Sequence, residues 1–476
     1  MICLAPPGRK RNLTEGPIIK PLLALSLPIM ASSAMQTAYN VADTFWLGRI
    51  GAEAVAALSI GWPLIFLLIS IAAGLSMAGT TLVSQYTGAD EPEKANQMAG
   101  QVFILLLVLG VSFAVVGVLV ARPLLVLMGT PDDVLPLAVV YAQIIFGGVV
   151  LMFGSFIFQS IISGWGDTVT PMKLMLVSVV LNIVLDPVLI FGAGPIPRLG
   201  VAGAAIATVF SRGVASIIGF YLLFSGKKGI TIRPHDLVPR PREIKRVIQI
   251  GVPSAVEQST LALGFTMMAS VVAQFGTVAL ASYGIGSRLI SILSMPAMGF
   301  SMAVSIMVGQ NLGAGKERRA ERVGWLSSGA IMLILTAGGA VSFLLAKPLV
   351  SVFIVEEDRA VIELGSRFIK FIGFGMGAFG VRMVLNGVFR GAGDTVTSMA
   401  FSILALWGFR IPLAVGLSSS MGTDGIWLGI LLSYIITPSI AVLWFRRGKW
   451  KEKSISGRGW EPSKRKNPRL EDDDIG

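Results

Sequence analysis

Charge is scarce in this sequence. Only 14% of its 476 residues are Asp, Glu, Lys or Arg, against about 25% in soluble globular chains. Whole stretches carry none: residues 54–89, 134–166 and 289–315 contain no charged side chain, and each exceeds the roughly 20 apolar residues that span a bilayer. Cysteine and histidine are scarcer still. Cys3 and His235 are the single representatives of their types, which excludes a disulfide framework, a CxxC pair and a histidine-based metal centre. They lie far apart outside the apolar runs, so a Cys–His nucleophile pair is excluded too. A phosphate-binding loop is also missing. The nearest approach, Gly313-Ala314-Gly315-Lys316, has Gln310 in place of the upstream Gly and Glu317 in place of Ser or Thr, so it is not a Walker motif. No constellation points to an enzyme. A channel, an ion-driven carrier or a flippase remains.

What is present is apolar sequence, 54% of the chain, broken into twelve runs. The pattern places helices near 18–47, 55–83, 96–121, 134–162, 170–192, 201–225, 244–273, 280–308, 323–346, 361–388, 396–417 and 425–445. The run from Pro21 is too long and too Pro-interrupted for a signal peptide. The expected fold is an all-α integral membrane bundle. The net charge of +12 invites a nucleic-acid reading, but its distribution does not. With the N-terminus inside, the inner segments hold Arg9, Lys10, Arg11, Lys20, Lys94, Lys173, the basic run 227–246, the run 316–322, Arg390 and a basic tail. The outer loops have little beyond Arg49, Arg122, Arg198, Lys347 and Arg359. This is the positive-inside asymmetry. It predicts a multi-pass cell-membrane protein with both termini cytoplasmic and no nucleic-acid partner.

The chain repeats itself. At an offset of 225, Pro28 falls on Pro253, Gly51 on Gly276, Ile60 on Ile285 and Gly61 on Gly286. The same offset brings Val83, Gln85, Gly88 and Ala89 onto Val308, Gln310, Gly313 and Ala314, and Pro187 onto Pro412. At an offset of 227, GDTVT at 166–170 matches GDTVT at 393–397. Self-similarity on this scale marks two structural units, here pseudosymmetric lobes of six helices each. An even number of helices returns the chain to one side, so the lobes are related by an axis along the membrane normal, as in carriers that rock two bundles about a central site. The expected organisation is an N-terminal segment at 1–17, lobes at 18–225 and 244–447, a linker at 226–243 and a disordered tail at 448–476.

An ionisable group inside a membrane span is costly and marks function. Asp43 and Asp186 in the first lobe qualify; at the 225 offset they meet Met268 and Ile411, so the second lobe does without them. On the first helix Gln36, Tyr39, Asn40 and Asp43 share one face, and on the fifth Ser178, Asn182 and Asp186 do the same. Two polar stripes on apolar helices suggest a shared cavity. A carboxylate buried beside a second acid binds a proton more readily than one in water, and the same oxygens with Asn182 suit Na⁺. Glu257 on the seventh helix is a candidate second acid, or a helix-end residue paired with Arg288 or Arg382. The buried arginines Arg212, Arg288, Arg382 and Arg410 are expected to neutralise acids or reach helix ends.

The run ADTFWLGRIGAEAVAALSIGWP at 42–63 follows LPIM at 27–30. With VSQYTGA at 83–89 and its echo VGQNLGA at 308–314, the paired GDT motifs, NIVLDP at 182–187 and GVAGAAIAT at 200–208, it resembles the multidrug and toxic compound extrusion (MATE) family. Both first-lobe acids make it most similar to the branch with DinF-type and archaeal members. The resemblance implies a V-shaped exporter that takes up H⁺, or alternatively Na⁺, and expels small amphipathic, often cationic, organic compounds by alternating access, without a cofactor. It implies Asp43 as the principal coupling carboxylate, completed by Asn182 and Asp186 and supported by Thr208 and Tyr141. Asp43, Asn182, Asp186 and Thr208 would form the alternative Na⁺ site. Gln36, Tyr39, Asn40, Met175, Ser178 and Gln159 would line the substrate cavity, and Pro28 would be the conformational hinge. Expected partners are small organic molecules and membrane lipid, and the expected assembly is a monomer. A lipid or lipid-linked oligosaccharide flippase is the alternative; it should line its cavity with Arg and Lys.

Overall fold

The structure, a computed structural model, describes residues 13–354 and 358–454. The first lobe comprises α1 (Ile19–Gly48), α2 (Ala52–Gly88), α3 (Pro92–Leu127), the bent pair α4 (Leu135–Gly147) and α5 (Val149–Trp165), α6 (Val169–Phe191) and α7 (Val201–Ser225). The second comprises α8 (Pro241–Ala273), α9 (Thr277–Gly313), α10 (Glu317–Leu344), the short α11 (Ala346–Ser351) and α12 (Arg359–Ala392). It ends with α13 (Thr395–Ile403), which runs through a π-helical stretch, Leu404–Arg410, into α14 (Ile411–Met421), and with α15 (Thr423–Arg446). Ten segments are long and apolar enough to cross a membrane, and the bent pair adds an eleventh. The twelfth is α1, 30 residues long, whose apolar content is diluted by its polar stripe.

The repeated GDT motif has a local cause. Gly166 and Gly393 close α5 and α12 in the left-handed conformation, at φ 105° and 85°, which only glycine adopts freely. Asp167 then starts α6: its Oδ1 accepts the backbone N–H groups of Val169 and Thr170 at 3.0 Å each. Each motif stands between two helices, but the side-chain cap forms only at Asp167; Asp394 makes none.

The lobes exchange their first helical turns. Leu22, Leu25 and Ile29 of α1 pack in the apolar core of the second lobe, while Val247 and Ile250 of α8 pack in that of the first. Leu22 and Leu25 are the 225-offset partners of Val247 and Ile250, so the exchange obeys the repeat. Pro28 and Pro253 lie within these shared stretches: Ile29 and Met30 still meet the second lobe, and Ala255 the first. The exchange lies at the end of the molecule that holds the start of α1 and the end of α15. There Gln85 donates to the Gly391 carbonyl at 2.8 Å and its repeat partner Gln310 donates to the Gly164 carbonyl at 3.2 Å. A Cβ on Gly88 would collide with the Gln310 backbone, and one on Gly313 with that of Gln85. The Gly-Ala-Gly-Lys run is thus part of a tight lobe contact.

Four expectations need correction. The fourth span is not one rod: α4 and α5 meet at 47°. The Gly147-Gly148 pair supplies the weak point, and α7 holds it, because Val209 occupies the space a Gly148 side chain would need. The 226–243 segment is not a loose linker. Ile230 and Ile232 are buried, and Gln101 of α3 clasps it, donating to the carbonyls of Asp236 and Val238 at 2.8 and 2.9 Å and accepting from the Arg240 N–H at 2.7 Å. The tail does not begin at 448. Lys449–Lys453 is a 3₁₀ turn whose Trp450 is fully buried, stacks on Phe445 at 5.2 Å and donates its indole N–H to the Phe445 carbonyl at 3.1 Å. The remainder of the tail, and residues 1–12, lie outside the described residues. Arg288, expected to be buried, is exposed.

Candidate functional site

Three helices of the first lobe bring the expected coupling residues together. Asp43 projects from α1, Asn182 and Asp186 from α6, and Thr208 from α7; the first and last are 8% and 7% exposed and the α6 pair not at all. Tyr141 of α4 is buried beside them, within Coulombic reach of both carboxylates. Asp186 likewise lies within reach of Asp43. The α6 pair is linked internally, Asn182 Nδ2 donating to Asp186 Oδ1 at 3.0 Å. That leaves Asp43 Oδ1, Asp186 Oδ2, Asn182 Oδ1 and Ser178 Oγ buried and without a hydrogen-bond partner among the described residues, while the Thr208 hydroxyl lies beside that of Tyr39. Buried oxygens are ordinarily satisfied. Four on the packed helices α1 and α6 offer oxygens that a proton or a hard cation would bind.

Two further residues shape this cluster. Ser211 and Arg212 follow Thr208 by three and four positions, hence on its face of α7. The Tyr39 and Ser211 hydroxyls are 3.2 Å apart. Arg212 lies 5.1 Å over the Tyr39 ring and donates to Gln36 Oε1 at 3.0 Å, and its charge reaches Asp43. Gln36 in turn donates to Asn40 Oδ1 at 3.0 Å. Arg212 was legible as an acid-neutralising residue; Ser211 was not singled out, although the i, i+3 spacing carried the signal.

A cavity of about 720 Å³ opens between the lobes, and its lining differs from the expected one. Of the expected substrate residues, Gln159 of α5 borders it; Gln36, Tyr39, Asn40, Met175 and Ser178 do not. Its walls come mainly from the second lobe, with α2 and α5 closing one side. Glu257 borders it, and not as the partner of Arg288 or Arg382: its carboxylate accepts from Ser402 at 2.7 Å, Ser398 at 3.0 Å and Asn386 at 3.4 Å. Arg382, Asn386 and Arg390 form a stripe at spacings of four along α12, and the π-helical stretch delivers Arg410 to the same cavity. π-Helical turns recur at functional sites.

The MatE family model matches residues 28–188 and 253–415, two copies whose starts lie 225 residues apart. The chain belongs to the MATE family. The matched segments begin at Pro28 and Pro253, the paired prolines of α1 and α8. A probable multidrug resistance protein of Bacillus subtilis, YpnP, is 31% identical over 443 residues, 92% of this chain and 97% of its own. An FAD transporter of Shewanella oneidensis is 28% identical, covering 90% and 94% of the two chains. A solved structure of a MATE transporter in the bent conformation superposes with a TM-score of 0.86 at 25% identity, covering 93% and 98%. The chain is thus a multi-pass membrane transporter of the MATE type and not an enzyme.

Proposed function

We propose that this MATE transporter is a proton-driven antiporter in the cell membrane. It expels small amphipathic organic compounds, works as a single chain and keeps both termini in the cytoplasm. The observation that carries this reading is the cluster of partnerless buried oxygens around Asp43. Arg212 supports H⁺ over Na⁺: a proton needs a single carboxylate oxygen, whereas Na⁺ must gather several oxygens beside a guanidinium that competes for them. While Asp43 is ionised, it holds its face of α1 toward Arg212 and α6. Protonation removes that attraction and frees α1 to bend at Pro28, where one backbone hydrogen bond is already missing. The bent conformation known for a similar MATE structure is consistent with such a change.

The driving force is sufficient. One proton moving through 100 mV supplies about 2.3 kcal/mol, enough to shift a two-state equilibrium roughly fifty-fold. Asp43→Asn is therefore expected to lose about fifty-fold in gradient-driven substrate accumulation at 100 mV while inserting and folding normally. Accumulation by the variant at the wild-type level, measured in everted vesicles, would show that Asp43 is not the coupling group. The flippase alternative draws on one observation, the arginines of the interlobe cavity. They bear on which substrates enter.

A further inference from the structure

The interlobe cavity has an unusual charge for a MATE transporter expected to carry organic cations. Arg382, Arg390 and Arg410 all border it, against the single acid Glu257; three guanidinium groups and one carboxylate leave two positive charges. The three arginines are 5%, 8% and 8% exposed, and arginine does not deprotonate in proteins. None of them has a carboxylate within 4.0 Å among the described residues. Arg382 donates only to the Met383 sulfur at 4.0 Å and stacks 5.3 Å from Phe379. Arg410 donates to Ser433 at 3.3 Å and lies 4.8 Å over Tyr434. Arg390 is held by Ser301 at 2.9 Å and the Asn386 carbonyl at 3.3 Å. Glu257 is hydrogen-bonded by Ser398, Ser402 and Asn386 and reaches Arg382 only as a more distant charge, so one carboxylate faces three guanidinium groups.

Buried positive charge without paired negative charge is costly inside a membrane protein and persists where function requires it. Guanidinium groups with free donors match carboxylate and phosphate oxygens. The wall also carries neutral hydroxyl and amide groups, and among them the aromatic and flexible-apolar side chains Tyr283, Phe368, Phe265, Met298 and Met302, which suit a flat ring system and tolerate its shape. We propose that the interlobe cavity binds amphipathic organic anions, an aromatic or apolar body carrying a carboxylate or phosphate, with Arg382 and Arg410 as the anion-recognising residues. The proposal rests on the exporter reading and names its substrate class.

Fluorescein and rhodamine 123 share a xanthene ring and differ in charge, the first anionic and the second cationic. Their binding to the purified full chain in a neutral detergent is measured by fluorescence anisotropy. Fluorescein is expected to bind at least about tenfold more tightly, the effect of one charge-assisted hydrogen bond. Arg382→Gln and Arg410→Gln should each remove about that factor for fluorescein alone, and Arg382→Lys should retain part of it. Lys94→Gln, an exposed cation on α3 away from the cavity, should bind fluorescein as the wild type does. Displacement of fluorescein by phosphatidylglycerol but not phosphatidylcholine assigns the anion to a lipid headgroup; displacement by neither assigns it to a soluble compound, and both keep the anionic class. Equal or tighter rhodamine binding overturns the proposal and leaves the exporter reading standing. Fluorescein bound but never carried against a gradient does the reverse.

Discussion

Asp43 and Asp186 are both buried, but they are held differently. Asp186 has Asn182 as a fixed hydrogen-bond partner at 3.0 Å, whereas Asp43 has Arg212 near it as a charge and no partner for its Oδ1. Each keeps one partnerless oxygen, Asp43 Oδ1 and Asp186 Oδ2; the coupling role proposed for Asp43 rests on the Arg212 charge beside it. The sequence showed both acids because charge is so rare in the spans. It did not show that Glu257 is satisfied by two serines and an asparagine, since those side chains come from α12 and α13, more than a hundred residues on. Trp450 was hidden for a different reason: one aromatic residue in a polar, basic tail carries no periodicity. Its burial against Phe445 predicts that Trp450→Ala costs about 3–5 kcal/mol, read as a lower melting temperature of the detergent-solubilised protein. An unchanged melting temperature would mean that the 3₁₀ turn contributes nothing.

At the scale of the helix, α1 belongs to two lobes. Its first turns are anchored in the second lobe by Leu22, Leu25 and Ile29, and its far end in the first by Leu47. Pro28 sits inside the shared stretch, so bending there moves the Asp43 segment relative to the anchored first turns. A proline could be read from the sequence, and its repeat partner too; the exchange of turns between lobes could not, because the apolar residues on either side look alike. The break at Gly147-Gly148 was equally obscure, since an apolar run gives no sign of a bend that α7 imposes from outside. Pro28→Ala restores the missing hydrogen bond and is expected to bind substrate while turning over about tenfold more slowly, equivalent to ~1.4 kcal/mol on the barrier. Paired spin labels on either side of residue 28, at high and low pH, should report a change in distance for the wild type that is absent in the variant. A normal pH response with normal efflux would place the moving element elsewhere.

On the scale of the whole molecule, the two lobes are locked at one end and separated by the cavity further along. Gln85 and Gln310 cross reciprocally at the locked end, and Gly88 and Gly313 permit the close approach. Alternating access requires these contacts to part and a matching set to form at the opposite end. The internal repeat made the two-lobe architecture legible, because each residue of this lock has a partner 225 positions away. The lobes' division of labour was legible only in half: the acid cluster of the first lobe stood out, while the basic cavity of the second arose from arginines on α12 and on the π-helical stretch after α13. The coupling of proton entry at the first site to release from the second is tested most directly in proteoliposomes holding the purified chain and a carried dye. A proton gradient and a sodium gradient are imposed separately at the same membrane potential. Transport driven by the proton gradient in the wild type, absent in Asp43→Asn and indifferent to sodium, is the expected result. Transport driven by sodium alone, or by protons equally well without Asp43, would contradict it.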